Sequence, residues 1–267
     1  MTTGALLFAF DNEAIDYVAM AQWSAHNIRR HLGIPVCLVT DRSDPVQGFD
    51  QVKVIDATET TGQRYFEDID RSVTWKNHDR VSAYDITPWD HTLLLDADYV
   101  VASDQLSVFL QTDQPFLCHR WAHDLTGSND FKSLNHWGRH SMPMWWATVV
   151  SFRQSPVAQH VFDLMRMVRD NWQHYKDLYG LRRTNYRNDY ALSIAINVIS
   201  GHTLQMPCIP FSLATVMPDH KLTQQHADAY RVDFLDAQGK PRYLQLQDQD
   251  FHAMCKGHLG DIVANPC

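Results

Sequence analysis

The sequence predicts an α/β protein with a mixed, mostly parallel sheet flanked by helices and a small C-terminal β-hairpin. Three observations predict it. An apolar run, a helical pattern and a second apolar run follow one another over the first 40 residues, as in a strand–helix–strand crossover. The stretch HTLLLDADYVVAS, residues 91–103, has three leucines leading into two aspartates, as at the end of a buried strand. Near the C-terminus, YRVDFL and RYLQLQ flank the turn sequence DAQGKP.

Residues 6–10 are continuously apolar, which suits a strand buried on both faces. Asp11 or Asn12 is the expected cap of the next helix, with Ile15, Val18, Ala19 and Leu32 on its apolar side. Gly33 stands where a left-handed helix end belongs, and Pro35 prevents continuation. Residues 36–39 form the second predicted strand, ending at Thr40 and Asp41, and 51–55 the third. TWKNHDRVSAYDI, residues 74–86, is expected to be helical up to Pro88. Residues 119–143 have weak periodicity and are expected to form a loop or lid, and MWWATVVSF, residues 144–152, a strand. Ser155 before Pro156 starts a helix whose stripe is Ala158, Val161, Met165, Val168 and Trp172. Asn188 and Asp189 open a further helix that ends at Gly201.

A length of 267 residues accommodates one α/β unit with insertions or two small domains. The absence of a linker or repeat favours one domain over residues 1–267. With 45% hydrophobic and 20% charged residues, the composition excludes a disordered chain. The longest mostly apolar run, residues 144–150, broken by Thr148, is too short to span a bilayer, and no basic segment precedes the N-terminal apolar stretch, so no signal peptide is expected. A net charge of −8 gives no general attraction to nucleic acid. A local basic cluster, Arg182, Arg183 and Arg187, is expected to be a solvated loop. The five cysteines, Cys37, Cys118, Cys208, Cys255 and Cys267, are odd in number and widely spaced, which points to a reduced, cytoplasmic setting.

Asp96 and Asp98 carry the clearest chemistry. At the carboxyl end of a buried strand they stand where open α/β sheets bind ligands, and paired carboxylates suit Mg²⁺ or Mn²⁺ bridging phosphate oxygens. Here the chain resembles the GT-A nucleotide-sugar glycosyltransferases, in particular the retaining group of glycogenin and related bacterial galactosyl- and glucosyltransferases. The resemblance runs from LLFAFDNEAIDYVAMAQWSAHNI to FHAMCKGH. It implies a GT-A, Rossmann-like fold and a nucleoside-diphosphate sugar donor, UDP-sugar before others. It implies that Ala9, Phe10, Asp11 and Tyr17 cradle the base, and that Lys76 or Arg80 faces the diphosphate sugar. The sequence does not choose between those two.

By the same resemblance, Asp98 holds the metal and nucleotide, and Asp96 does so directly or through the ribose, with Ala97 between them. His252 is the late metal ligand, with His258 as the alternative, and Lys256 and Gly257 stand near the phosphates. The imidazole tilts the metal from Mg²⁺ toward Mn²⁺. Asp189 falls where the family has an acid reaching the transferred sugar, although it also reads as a helix cap. Tyr190 follows it in place of the usual Gln. Trp146 and Thr148 replace the usual Asn and Gly, so the sugar is not carried over; the spacing from His252 to Lys256 is shorter than the family's, which is what makes His258 an alternative ligand. Asp189, Arg80 and Lys256 are the expected catalytic residues. The implied reaction is transfer to a hydroxyl acceptor with retention; the acceptor is a glycan, a small molecule, a protein or a modified nucleic-acid base.

Rival readings rest on fewer residues. DADYV also fits the nucleophile motif of haloacid-dehalogenase-type phosphatases, with Lys256, Gly260 and Asp261 as later motifs, but these crowd into six residues. A nucleotidyltransferase would need a glycine-rich loop after the first strand, which FAFDNEAI lacks. A non-catalytic nucleotide-sugar binder fits the Trp146 and Thr148 departures.

Overall fold

The computed structural model describes residues 2–56, 63–66, 69–76, 79–181, 185–203 and 205–265. The first half of the chain runs β1 (Thr3–Phe8), α1 (Tyr17–Leu32), β2 (Val36–Thr40), β3 (Gln51–Val54), β4 (Gln63–Phe66), β5 (Arg71–Thr74), α2 (Ala83–Ile86), β6 (His91–Asp96) and β7 (Tyr99–Val100). Next come β8 (Phe116–His119), β9 (Ala122–Asp124), α3 (Phe131–Asn135), β10 (His136–Trp137), β11 (Met142–Pro143), β12 (Trp146–Arg153), α4 (Pro156–Asp170), α5 (Trp172–Tyr179) and α6 (Asn188–Ile199). The chain ends in β13 (Leu213–Val216), β14 (Lys221–His226), β15 (Ala229–Leu235), β16 (Pro241–Gln247), β17 (Phe251–Ala253) and α7 (Lys256–Ala264).

The central sheet has the order β3-β2-β1-β6-β12-β8. β1 pairs in parallel with β2 and β6, β2 pairs in parallel with β3, and β12 is antiparallel to both neighbours. This is the mixed, mostly parallel, helix-flanked sheet implied by the GT-A resemblance. Its middle is built from the apolar runs: Leu6 and Leu7 are 0% exposed and Leu94 is 1% exposed. The chain winds outward from β1 to β3 and then crosses back to place β6 on the other side of β1. The crevice between the carboxyl ends of β1 and β6 is therefore a topological switch point. The register Phe8↔Asp96 brings those ends level.

Several local expectations change. Helix α1 starts at Tyr17 with Asp16 as cap, accepting from the Ala19 N–H at 2.8 Å. Asn12 instead closes the preceding turn by accepting from the N–H groups of Ala14 and Ile15, so Ile15 lies outside the helix. Asp11 reaches in from outside and accepts from the Val18 N–H at 3.0 Å, satisfying another first-turn donor. Gly33 ends the helix at φ 66°, as expected.

The stretch 74–86 is not one helix. Glu13 accepts from the backbone N–H of Thr74 at 3.1 Å and also from its hydroxyl, which keeps Thr74 at the end of β5. Among the described residues of this stretch, helical turns appear at Asp79–Ser82 and in α2. Lys76 and Arg80 therefore do not share a helix face.

The stripe from Ala158 to Val168 is buried on α4, but that helix ends at Asp170 and Trp172 opens α5. The expected loop at 119–143 contains β9, α3, β10 and β11. Side chain–backbone bonds order it where apolar periodicity is lacking. Asn135 both donates to and accepts from the Ala122 backbone, and Asp124 accepts from Thr126 and Asn129. The C-terminal hairpin β15–β16 is present, and β14 adds a third antiparallel strand.

His119, at the end of β8, is 1% exposed, and its Nδ1–H donates to the Phe211 carbonyl at 3.0 Å. Burial pushes its pKa down from 6.5 to about 4. Between those values the unfolded chain binds a proton that the folded protein does not, so stability falls as pH drops through this window. The loss attributable to His119 is about 3 kcal/mol in total. Unfolding midpoints measured from pH 7 to 4 should fall more steeply for the wild type than for His119→Gln. Parallel curves would contradict this assignment.

Candidate active site

The switch-point crevice holds a cleft lined by the ends of β1 and β6, by residues of α1, β4 and the segment after β5, and by residues of β12, the start of α6 and the stretch from β17 into α7. Asp96 ends β6 and Asp98 immediately precedes β7. β17 pairs with β7 and β13, with Tyr99 and Thr215 opposite His252, so strand pairing lays His252 beside the aspartates. One ligand atom from each of Asp96, Asp98 and His252 lies within 4.8 Å of the others.

His252 Nε2 is 3.4 Å from Asp98 Oδ2, and the Lys256 ammonium donates to that same oxygen. His252 Nδ1 is buried without a partner. Burial holds the imidazole pKa below its ordinary value, and Arg187 and Arg64 oppose the pull of Asp96 and Asp189 in the other direction. A neutral imidazole is the form that ligates metals. Two carboxylates, one neutral imidazole and an orphaned ring nitrogen fit a divalent cation such as Mn²⁺ or Mg²⁺.

The second half of the cleft is organised around Ala147. β12 slips register against β8 between Trp146 and Val150, so the intervening peptides need other partners. Asp189, in the first turn of α6, accepts from the Ala147 N–H at 2.9 Å. Arg80 donates to the Ala147 carbonyl at 2.6 Å and to the Asp96 carboxylate. The other oxygen of Asp189 accepts from Arg187 at 2.7 Å. Burial alone would raise the Asp189 carboxyl; Arg187 and the Ala147 N–H outweigh it and hold its pKa below the ordinary value. Asp189 is thus not a helix cap, because its carboxylate pins α6 to β12.

Asp96, Ala97, Asp98, His252 and Lys256 all line the cleft, as do Phe10, Tyr17, Lys76 and Asp189. The other expected residues do not. Ala9 is 1% exposed and its N–H extends the pairing to Val39 at 2.9 Å. Asp11 is committed to Arg42 and to the start of α1. Arg80 is 2% exposed and lies behind Asp96, whereas Lys76 reaches the cleft and pairs with Asp41 at 2.9 Å.

Gly257 lies in α7 outside the lining, and His258 stands outside the Asp–Asp–His group. Asp261, needed by the phosphatase pattern, is exposed and away from the cleft. Trp146 is 3% exposed in the core, while Thr148 borders the cleft.

Sequence reasoning missed Arg64 and Trp75, which line the cleft, and misjudged Arg187, which lies in it rather than in a solvated loop. Its neighbours Arg182 and Arg183 lie outside the described residues. The spacing of Arg187 to Asp189 is a signal that could have found the first pair. For Arg64 the sequence holds none.

No protein-family model and no curated protein matches the sequence. Among solved structures the chain is similar to the glycosyltransferase GlyE of Streptococcus pneumoniae TIGR4, at 12% identity over 79% of this chain and 46% of that one, with a TM-score of 0.45. It is also similar to the galactosyltransferase LgtC in complex with donor and acceptor sugar analogues, at 12% identity over 73% and 70%, TM-score 0.46. A third is mannosyl-3-phosphoglycerate synthase from Rubrobacter xylanophilus, at 12% identity over 94% and 86%, TM-score 0.35. These neighbours are glycosyltransferases. The chain spans less than half the length of the pneumococcal protein, 46%. Among the described residues, no helix is long and apolar enough to cross a membrane.

Proposed function

We propose that the protein is a metal-dependent glycosyltransferase acting as one domain, which moves a sugar from a nucleoside-diphosphate donor to a hydroxyl acceptor. The observation that carries this reading is the Asp96–Asp98–His252 group at the switch point, within 4.8 Å, in a cleft that also holds Lys256, Arg64 and Arg187. UDP is the proposed nucleotide, Mn²⁺ the proposed ion, and retention the proposed outcome; all three rest on the sequence resemblance. Phe10 and Tyr17, which line the cleft, are the proposed aromatic surface for the base, and Asp189 is the proposed contact to the transferred sugar. Asp96, Asp98 and His252 would hold the ion, which would supply charge neutralisation at the departing diphosphate. Lys256, already buried beside Asp98, adds a fixed cation for the same task. The proposed setting is cytoplasmic, in keeping with Cys37, Cys118, Cys208 and Cys255 being free thiols.

The test is a thermal-shift panel of UDP, GDP, CDP, ADP and TDP, each with and without Mn²⁺. A ligand at 100 times its dissociation constant adds about 2.7 kcal/mol of stability. One nucleotide should raise the midpoint only when Mn²⁺ is present. If none does with Mn²⁺ or Mg²⁺, the donor reading fails.

A further inference from the structure

Arg64 stands apart from the other cations of the cleft. Lys76 is matched by Asp41, Arg187 by Asp189 and Lys256 by Asp98. None of the ion pairs or hydrogen bonds among the described residues engages the Arg64 guanidinium. It is held by aromatic faces instead, 4.7 Å from the Trp75 ring centre and 5.2 Å from that of Phe66. Trp75 is itself anchored, its indole N–H donating to the Tyr186 carbonyl at 3.2 Å.

A guanidinium stacked on a ring keeps its in-plane N–H donors available, in the fork geometry that matches phosphate oxygens. The Lys256 ammonium lies 6.0 Å from the centre of the same Phe66 ring. Two cations that line the cleft therefore approach one buried aromatic ring, close to the Asp96–Asp98–His252 group.

We propose that Arg64 is a donor-binding residue, whose guanidinium, set in place by Trp75 and Phe66, grips the diphosphate of the nucleotide donor together with Lys256. The proposal rests on the glycosyltransferase reading and adds to it a residue from the β4–β5 hairpin that no motif supplies. Burial and the neighbouring charge of Arg187 both push the Arg64 pKa down. Tyr17, Asp189 and Asp96 offset only part of that push, and an arriving polyanion would relieve the remainder.

The experiment compares the wild type with Arg64→Met and Arg64→Lys on the full chain. Calorimetry measures affinity for the nucleoside diphosphate that stabilises the wild type, with Mn²⁺, and for inorganic pyrophosphate. Ligand-free unfolding midpoints are recorded alongside. Arg64→Met should weaken both affinities at least tenfold while its midpoint stays at or above that of the wild type, and Arg64→Lys should recover part of the affinity. A structural residue would do the reverse, lowering the midpoint and leaving the affinities near wild type, and that result overturns the proposal. A wild type that binds pyrophosphate but no nucleoside diphosphate refutes the glycosyltransferase reading, and Arg64 is then judged on the pyrophosphate arm. A wild type that binds neither overturns both.

Discussion

Asp98→Asn is expected to abolish Mn²⁺-dependent nucleotide stabilisation and to lower the stability of the ligand-free protein by about 3 kcal/mol. Both effects come from one buried oxygen. Asp98 is 4% exposed, and its Oδ2 accepts from Lys256 and faces His252. Neutralising the carboxylate takes away the charge that Asp98 sets against the Lys256 ammonium, which is 7% exposed. Removing one partner of a buried pair costs more than removing both, because the uncompensated charge remains. A chain of this size should lose about 6–10 °C in unfolding midpoint.

The double variant Asp98→Asn, Lys256→Met removes that ammonium as well, so its midpoint should return most of the way to the wild type. Its nucleotide binding should stay absent, and Lys256→Met alone measures how much of that loss belongs to the lysine. If Asp98→Asn retains full Mn²⁺-dependent stabilisation by nucleotide, Asp98 is not a ligand and the metal site is misassigned.

The central strands β1, β2, β3, β6 and β12 and the aspartates beside them are legible because each depends on contiguous sequence; β8 is not among them. LLFAF and HTLLLD bury both faces of a strand, and the DAD turn follows from where β6 stops. His252 is legible only through the resemblance, since strand pairing with Tyr99 and Thr215 brings it to the site and no local pattern records that pairing.

Features built from side chain–backbone bonds between distant segments are not legible. Asn135 tying down Ala122, or Glu13 holding Thr74 extended, breaks the link between hydrophobic period and secondary structure. The stretch 119–143 therefore reads as a loop and 74–86 as a helix. Arg64 is hidden for a related reason: its position depends on the rings of Phe66 and Trp75, which nothing in its immediate sequence marks as a site.

Arg80 shows how such hidden contacts redistribute roles, and it carries the second large expected effect. Sequence alone leaves Lys76 and Arg80 as equal candidates to face the donor. In the fold, Arg80 is 2% exposed and donates to the Asp96 carboxylate and to the carbonyl of Ala147 at 2.6 Å, with a longer bond to that of Leu95 at 3.4 Å. It ties the end of β6 to the slipped segment of β12, and so acts on the cleft by positioning Asp96 and Ala147. Arg80→Met strands a carboxylate and a buried carbonyl at once and should cost about 3–5 kcal/mol. Arg80→Lys should recover little of that, because a single ammonium does not reproduce the guanidinium fork that spans both strands. Lys76→Met, which removes a half-exposed pair with Asp41, should stay within about 1 kcal/mol of the wild type. Denaturant unfolding of the three variants measures this ordering directly. Nucleotide titration then assigns the contact: a rise in dissociation constant for Lys76→Met at unchanged stability marks Lys76 as the residue facing the donor. Equal stability losses at positions 76 and 80 would contradict the division of labour drawn here.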